Sequence, residues 1–323
     1  MKHLGLAMAL GASACASVEP QAALLRDAPA VSPVMTEHSA GLRCLGGLIE
    51  QSPAAPVSVV VRDIEDATVP LLNEERRLSL GGSFVLHTAL SRLETSKVQI
   101  VMDEQRAGAR RLTLSGAWTQ DDLFTGERGM GVRVAGANVR AGLGRRTSYD
   151  FIAGDFASSV NGRVRLSTAV GVALPRRGEE AFLVIDDGAD GAEIGMDRRR
   201  VQGAQMAQRR VLEAVALVHL ADFFGIDYRP CLDAATASPE AFSAAIGAYE
   251  RAAPAERHRL MQEELTRLGY LSEAPPSGRW DAQSRLALGR FQQDARLPPT
   301  SRPSAVLYAL ARTHAAPPAS RAP

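Results

Sequence analysis

Apolar and polar positions alternate along this chain with three different periods, and the changes of period divide it into regions. Residues 57–61, Val57-Ser58-Val59-Val60-Val61, form a β-branched run that suits a strand buried on both faces. Phe84, Leu86, Leu90 and Leu93 predict a helix, followed by short strands over 98–102 and 111–116. Strand, helix, strand, strand is an α/β beginning. Residues 205–224 predict a longer helix, with Met206, Val211, Leu212, Val215, Val218 and Leu220 on the apolar side. Arg209, Arg210 and Glu213 fall on its wet side, and His219 reads as packed rather than as a ligand. Residues 260–270 predict an amphipathic helix that Gly269 ends. A further helix carries Leu286, Leu288 and Phe291.

Between the α/β start and the long helix, the period is two. Val132, Val134, Val139, Ala141 and Leu143 alternate with Arg133, Ala135, Arg140, Gly142 and Gly144. Phe182 and Val184, and later Ala192, Ile194 and Met196, do likewise around a polar turn at 186–191. A membrane strand sets apolar side chains outward and polar or small ones inward, so its signal is this weak alternation. A soluble sheet with one wet face has the same period. Two hairpins cannot close a barrel and lipid does not tolerate open edges. The membrane reading therefore requires a homo-oligomeric ring that pools hairpins from several copies.

The chain has 323 residues, of which 46% are hydrophobic and 23% charged, enough for two domains and a sizeable core. Lys and Arg number 37 against 36 Asp and Glu, so net charge offers no case for binding nucleic acid. No stretch reaches the roughly 20 apolar residues of a spanning helix. The N-terminus has a basic head, Lys2-His3, an apolar run over 4–10, and then Gly11-Ala12-Ser13-Ala14-Cys15. This is a short signal peptide with cysteine directly after the cleavage position. It resembles the lipobox of bacterial lipoproteins, which implies acylation of Cys15 and anchoring by buried methylenes. Ala16 follows, with no Asp to suggest inner-membrane retention, so sorting to the outer membrane is expected. Cys44 and Cys231 then remain as an even pair in an oxidising compartment, either bridged or as two buried thiols.

Other chemistry is thinly represented. Gly129, Gly131 and Gly136 lack the preceding strand and following helix of a dinucleotide loop, so no cofactor is expected. No metal-ligand spacing and no nucleophile–base pairing stands out, and the expectation is a protein that is not an enzyme.

The strand at 57–61, the Asp63-Ile64-Glu65-Asp66-Ala67-Thr68 turn, the loop, the helix and the strand ending at Asp103-Glu104 resemble the curli-secretion channel family (CsgG-like). The glycine-rich 126–144 segment, Asn161-Gly162-Arg163-Val164, and Phe182 to Asp186 with Ala192 to Met196 agree in order and spacing. The resemblance covers roughly 42–228. It implies an outer-membrane ring that exports adhesin, curli-like or holdfast-anchor fibre subunits. It also makes Leu71, Leu72, Asn73, Glu74 and Glu75 the candidate pore loop, although no aromatic stands in 70–82 as it does in the family.

The C-terminal region resembles the three-helix peptidoglycan-binding domain. Gln262, Leu265, Leu268, Gly269, Tyr270, Phe291, Gln292 and Leu297 fall on its signature, with Trp280 at the usual Phe position and Asp281 in place of a Gly. The expected architecture is an α/β periplasmic domain that contributes two β-hairpins to an oligomeric transmembrane β-barrel, plus a small all-α three-helix domain. Its boundaries are a signal peptide at 1–14, a tether at 15–40 and the channel-like domain at 41–230, with hairpins near 126–148 and 178–200. A linker at 231–255 with one short helix over 239–251, the wall-binding domain at 256–313 and a tail at 314–323 complete it. The expected partners are further copies of the chain, outer-membrane lipid, peptidoglycan and the exported subunits. The alternative is a soluble periplasmic lipoprotein that tethers outer membrane to wall.

Overall fold

The structure is a computed structural model and describes residues 36–68, 78, 81–126, 132–134, 137–139, 147–175, 181–186, 192–196, 204–272 and 275–314. Cys15, the candidate pore loop at 71–75 and Leu143 lie outside the described residues. The chain from Thr36 onward forms one compact unit.

Helix α1 (Glu37–Gln51) leads into β1 (Val57–Asp66), α2 (Gly82–Ser91) and β2 (Val98–Val101). Strands β3 (Arg111–Gly126), β4 (Val132–Val134), β5 (Ala137–Val139), β6 (Thr147–Val160), β7 (Arg163–Pro175), β8 (Ala181–Asp186) and β9 (Ala192–Met196) follow. Helices α3 (Ala204–Phe224), α4 (Arg229–Ala237), α5 (Pro239–Arg251), α6 (Pro254–Arg267), α7 (Ala282–Asp294) and α8 (Ala305–Thr313) complete the order. The main sheet runs β2-β1-β3-β6-β7-β8-β9, and β4-β5 form a separate ribbon. β1 lies parallel between β2 and β3, which explains its continuous apolar run: Val57, Val59 and Val60 are all buried. From β3 onward the pairing is antiparallel. Asn161 and Gly162, at φ 50 and 76, close the β6–β7 hairpin as a two-residue turn with both centres at positive φ.

Several sequence expectations need correction. Order among the described residues begins with α1, ahead of the expected start near Leu42, because Thr36, His38 and Ser39 are already buried. Phe84 is 67% exposed; α2 buries Leu86, Ala89 and Leu90 instead. Leu286 is likewise exposed, while Leu288 and Phe291 face the core. The wet side assigned to the long helix is wrong at two positions, since Arg210 and Glu213 are buried. The reason is that α3 packs on β6 and β7 with one side and on α1 and α2 with another, so a one-sided amphipathic reading fails. Glu213 accepts hydrogen bonds from Arg92 and Thr36, and Arg92 also donates to Ser39 Oγ at 2.8 Å.

Both hairpin ribbons are amphipathic by register. In β4–β5, positions 132, 134, 137 and 139 pair on one face and 133 with 138 on the other. In β8–β9, Ile185 pairs with Ala192 and Leu183 with Ile194. Odd positions on one strand thus couple to even positions on the other. This places 182 and 184 on the face opposite 194 and 196, a correction to the shared face expected for Phe182, Val184, Ile194 and Met196. The apolar face holds positions 181, 183, 185, 192, 194 and 196 instead.

Residues 231–255, expected as a linker, hold most of α4 and all of α5. Phe242, Ala245, Ile246 and Tyr249 are buried at i, i+3, i+4 and i+7 of α5, the stripe of a packed helix. A bond between the sulfurs of Cys44 and Cys231 joins α1 to α4, with the Cα atoms 5.5 Å apart. Gln51 at the end of α1 donates to Ser304 Oγ at 2.8 Å. A Cβ on Gly47 would stand 2.4 Å from Val306, so the absence of a side chain there lets α8 lie against α1.

Candidate functional site

The C-terminal helices are organised by two buried glutamines. Gln262 Nε2 donates to Arg279 O and Ser284 Oγ, each at 2.9 Å, while its Oε1 accepts Gly278 N at 2.9 Å. Gln292 Nε2 donates to Pro298 O at 2.6 Å and Thr300 Oγ1 at 3.0 Å, and its Oε1 accepts Thr300 N. A buried amide that satisfies both ends on loop backbone fixes those loops. The two residues that dominate the sequence signature therefore shape the module and do not face a ligand.

The other signature residues are also architectural. Gly269, at φ 79, ends α6 in the left-handed conformation that glycine tolerates best. Leu268 and Phe291 are buried. Tyr270 packs edge-on against Phe291 and donates to Asp294 Oδ2 at 2.9 Å; burial and this carboxylate push its phenol up to about 12. Asp281, the departure from the family pattern, is the N-cap of α7. Its Oδ1 accepts Ser284 N and Ser284 Oγ at 2.8 Å, and the bond from the Ser284 amide holds its carboxyl below the usual range.

The surface that these pins support is a cleft of about 440 Å³ lined by Tyr249, Glu250, Arg257, His258, Trp280 and Arg302. The Trp280 indole is half-buried and donates from Nε1 to Ser301 O at 2.9 Å. His258 lies beside it at 5.7 Å between ring centroids. His258 Nδ1 is 3.1 Å from Gly278 O; a carbonyl only accepts, so Nδ1 carries the proton and Nε2 is left as an acceptor. Arg257 is fixed on the end of α5 by bonds to Ala252 O and Glu250 O. Tyr249 stacks on Tyr308 at 5.2 Å, and burial pushes its phenol up to about 12. An aromatic floor with a guanidinium rim suits an apolar sugar face bearing acidic groups.

Of the residues singled out from sequence, Trp280 alone lines this cleft. The others were missed because the motif reports core positions and because α5 read as linker. One signal was present: His258 stands four residues before Gln262, on the same face of α6. A second cleft of about 480 Å³ separates α4 from the module, lined by Asp227, Arg229, Asp233, Asp294, Arg296 and His314 among others. Burial, and then the Asp227 charge, raise the Asp233 carboxyl there. Among the described residues, no group of three or more His, Cys, Asp or Glu could hold a metal ion, and no helix is long and apolar enough to cross a membrane.

Residues 255–309 match the family described as "Putative peptidoglycan binding domain". No curated protein matches the chain. The family match covers α6, α7 and the first half of α8 and does not reach the α/β body, whose likeness to curli-secretion channels rests on sequence motifs. The chain therefore carries a domain of a peptidoglycan-binding family at its C-terminal end, which supports attachment to the cell wall.

Proposed function

We propose that this chain is an outer-membrane lipoprotein whose α/β body contributes β-hairpins to an oligomeric secretion pore, and whose C-terminal module holds the pore to peptidoglycan. The wall end of this reading rests on the family match over 255–309. The pore end rests on strand length. The 16 residues of β3 reach roughly 54 Å at about 3.4 Å per residue. The 21 residues of α3, the longest covering helix, reach only roughly 32 Å. Among described side chains, the part of β3 in the main core ends at Trp118, and Asp122 is exposed. The strand continues to Gly126 and stays paired with β6 throughout. Strands in globular proteins seldom exceed about 10 residues. The excess of roughly 20 Å is close to the apolar band of an outer-membrane barrel, about 25 Å tall.

The amphipathic registers of β4–β5 and β8–β9 support the same reading, since each offers one apolar face. The cargo is the class that the curli-family resemblance implies, unfolded adhesin or fibre subunits. Extraction of the mature protein from outer membranes in mild detergent tests this. Rings that conduct ions in planar bilayers, and stop conducting when 129–144 or 182–196 is deleted, are expected. Monomers released on Cys15→Ser, with no ring in the wild type, would sink the pore and leave a tethering lipoprotein.

A further inference from the structure

The cleft beside Trp280 is not built by the wall-binding module alone. Tyr249 and Glu250 belong to α5, ahead of the matched residues 255–309. Arg257 is held over the Tyr249 ring, 5.9 Å from its centroid, and bonded to the carbonyls that end α5. Tyr249 in turn stacks on Tyr308 of α8. The wall of the cleft nearest α5 therefore depends on a helix outside the matched domain. We propose that the site where this protein grips the wall is this composite cleft, and that its ligand is a carboxylate-bearing amino-sugar glycan, the acidic glycopeptide of the wall. The proposal rests on the wall-attachment reading above and adds to it a place and a chemistry.

Each side chain has a distinct task. Trp280 offers a half-buried indole for the apolar face of a sugar ring. Arg302, exposed in the loop before α8, presents a guanidinium whose planar fork matches a carboxylate. His258 Nε2 accepts from a sugar hydroxyl or an amide N–H. Glu250, exposed on the rim, opposes an acidic ligand and limits affinity. This opposition makes a helix outside the module tune the binding.

Co-sedimentation of the detergent-solubilised full-length protein with purified sacculi tests the assignment. Trp280→Ala should weaken binding about tenfold and Arg302→Gln about fivefold. Glu250→Gln should strengthen it about threefold. Sacculi whose carboxylates have been amidated should bind the wild type as weakly as native sacculi bind the Arg302 variant. Trp280 also holds a loop through Ser301, so the exposed Arg302 and Glu250 positions keep the test independent of folding, with thermal melting as a check. Native-strength binding by all three variants would overturn the composite cleft while leaving wall attachment standing. No binding of the wild-type protein to native sacculi removes the attachment reading itself, and the site with it.

Discussion

In the helical module, Gln262 bonds to groups 15 to 22 residues away and Gln292 to groups 6 to 8 residues away. In the α/β body, Glu213 bonds to Arg92 and Thr36, 121 and 177 residues earlier in the chain. Cys44 is joined to Cys231 across 187 residues. A polar pin that closes a short loop asks little of chain entropy, and it can form as soon as its own helix pair does. A pin between distant segments can form only after the sheet, α1, α2 and α3 have come together. The module is therefore stabilised by local pieces and the body by a closed topology.

Removal of the most distant bond tests that contrast most strongly. In the loop-entropy picture, a cross-link spanning 187 residues contributes about 5 kcal/mol, against about 3 for a loop of about 15 residues. The Cys44→Ser/Cys231→Ser double variant should accordingly shift the denaturant midpoint by a large amount relative to the oxidised wild type. A loss below about 1 kcal/mol would break the contrast, because the distant bond would then be no costlier to lose than a local pin.

The same division explains what could be read from the amino-acid order. The helix ending at Gly269, the β-branched run of β1, the hairpin turn at Asn161-Gly162 and the α5 span 239–251 are local patterns, and each was legible. The buried state of Arg210 and Glu213 was not, because it depends on which elements cover α3 and not on the pattern of α3 itself. The faces of the β8–β9 ribbon were misread for a related reason. Alternation fixes a face within one strand, but only register relates two strands. At the candidate site, Trp280 was found through its motif. Tyr249, Glu250 and Arg302 were not, since nothing near them in sequence shows that α5 and the loop before α8 meet. The stripe Phe242, Ala245, Ile246, Tyr249 was available as evidence that α5 packs, and a linker reading concealed it.

A second prediction probes the body through pH. His219 is buried, Thr168 Oγ1 lies 2.9 Å from its Nε2, and burial lowers its pKa from 6.5 to about 4. The folded state therefore holds a neutral imidazole where the unfolded chain takes up a proton. A base with a depressed folded pKa leaves stability untouched above pH 6.5. Stability falls as pH drops below that value, and the loss is complete near pH 4, where it amounts to about 3 kcal/mol. Carboxylates titrate over part of the same range, so the informative quantity is the difference between wild type and His219→Gln. That difference should grow between pH 7 and pH 4.5 in denaturant unfolding. A constant difference would show that this buried histidine does not couple the core of the body to pH.

The smallest effect falls on the module and sharpens the comparison most. Gln292→Ala removes two donated bonds and one accepted bond and leaves the Thr300 amide to find water or go unpaired. The expected cost is about 2 kcal/mol. Its distribution is the informative part. If the pins of the module are local, amide exchange should accelerate across α6, α7 and α8 and in the loop at 297–303, while β1, β3 and the buried stretch of α3 keep their protection. The module nevertheless touches the body, through Gly47 against Val306, Gln51 to Ser304 and Tyr249 against Tyr308. Equal acceleration in both regions would therefore mean that these contacts bind module and body into one cooperative unit. In that case the long-range bonds of the body would also stabilise the wall-binding cleft, and loss of the Cys44–Cys231 bond should loosen the grip on sacculi as well as the sheet.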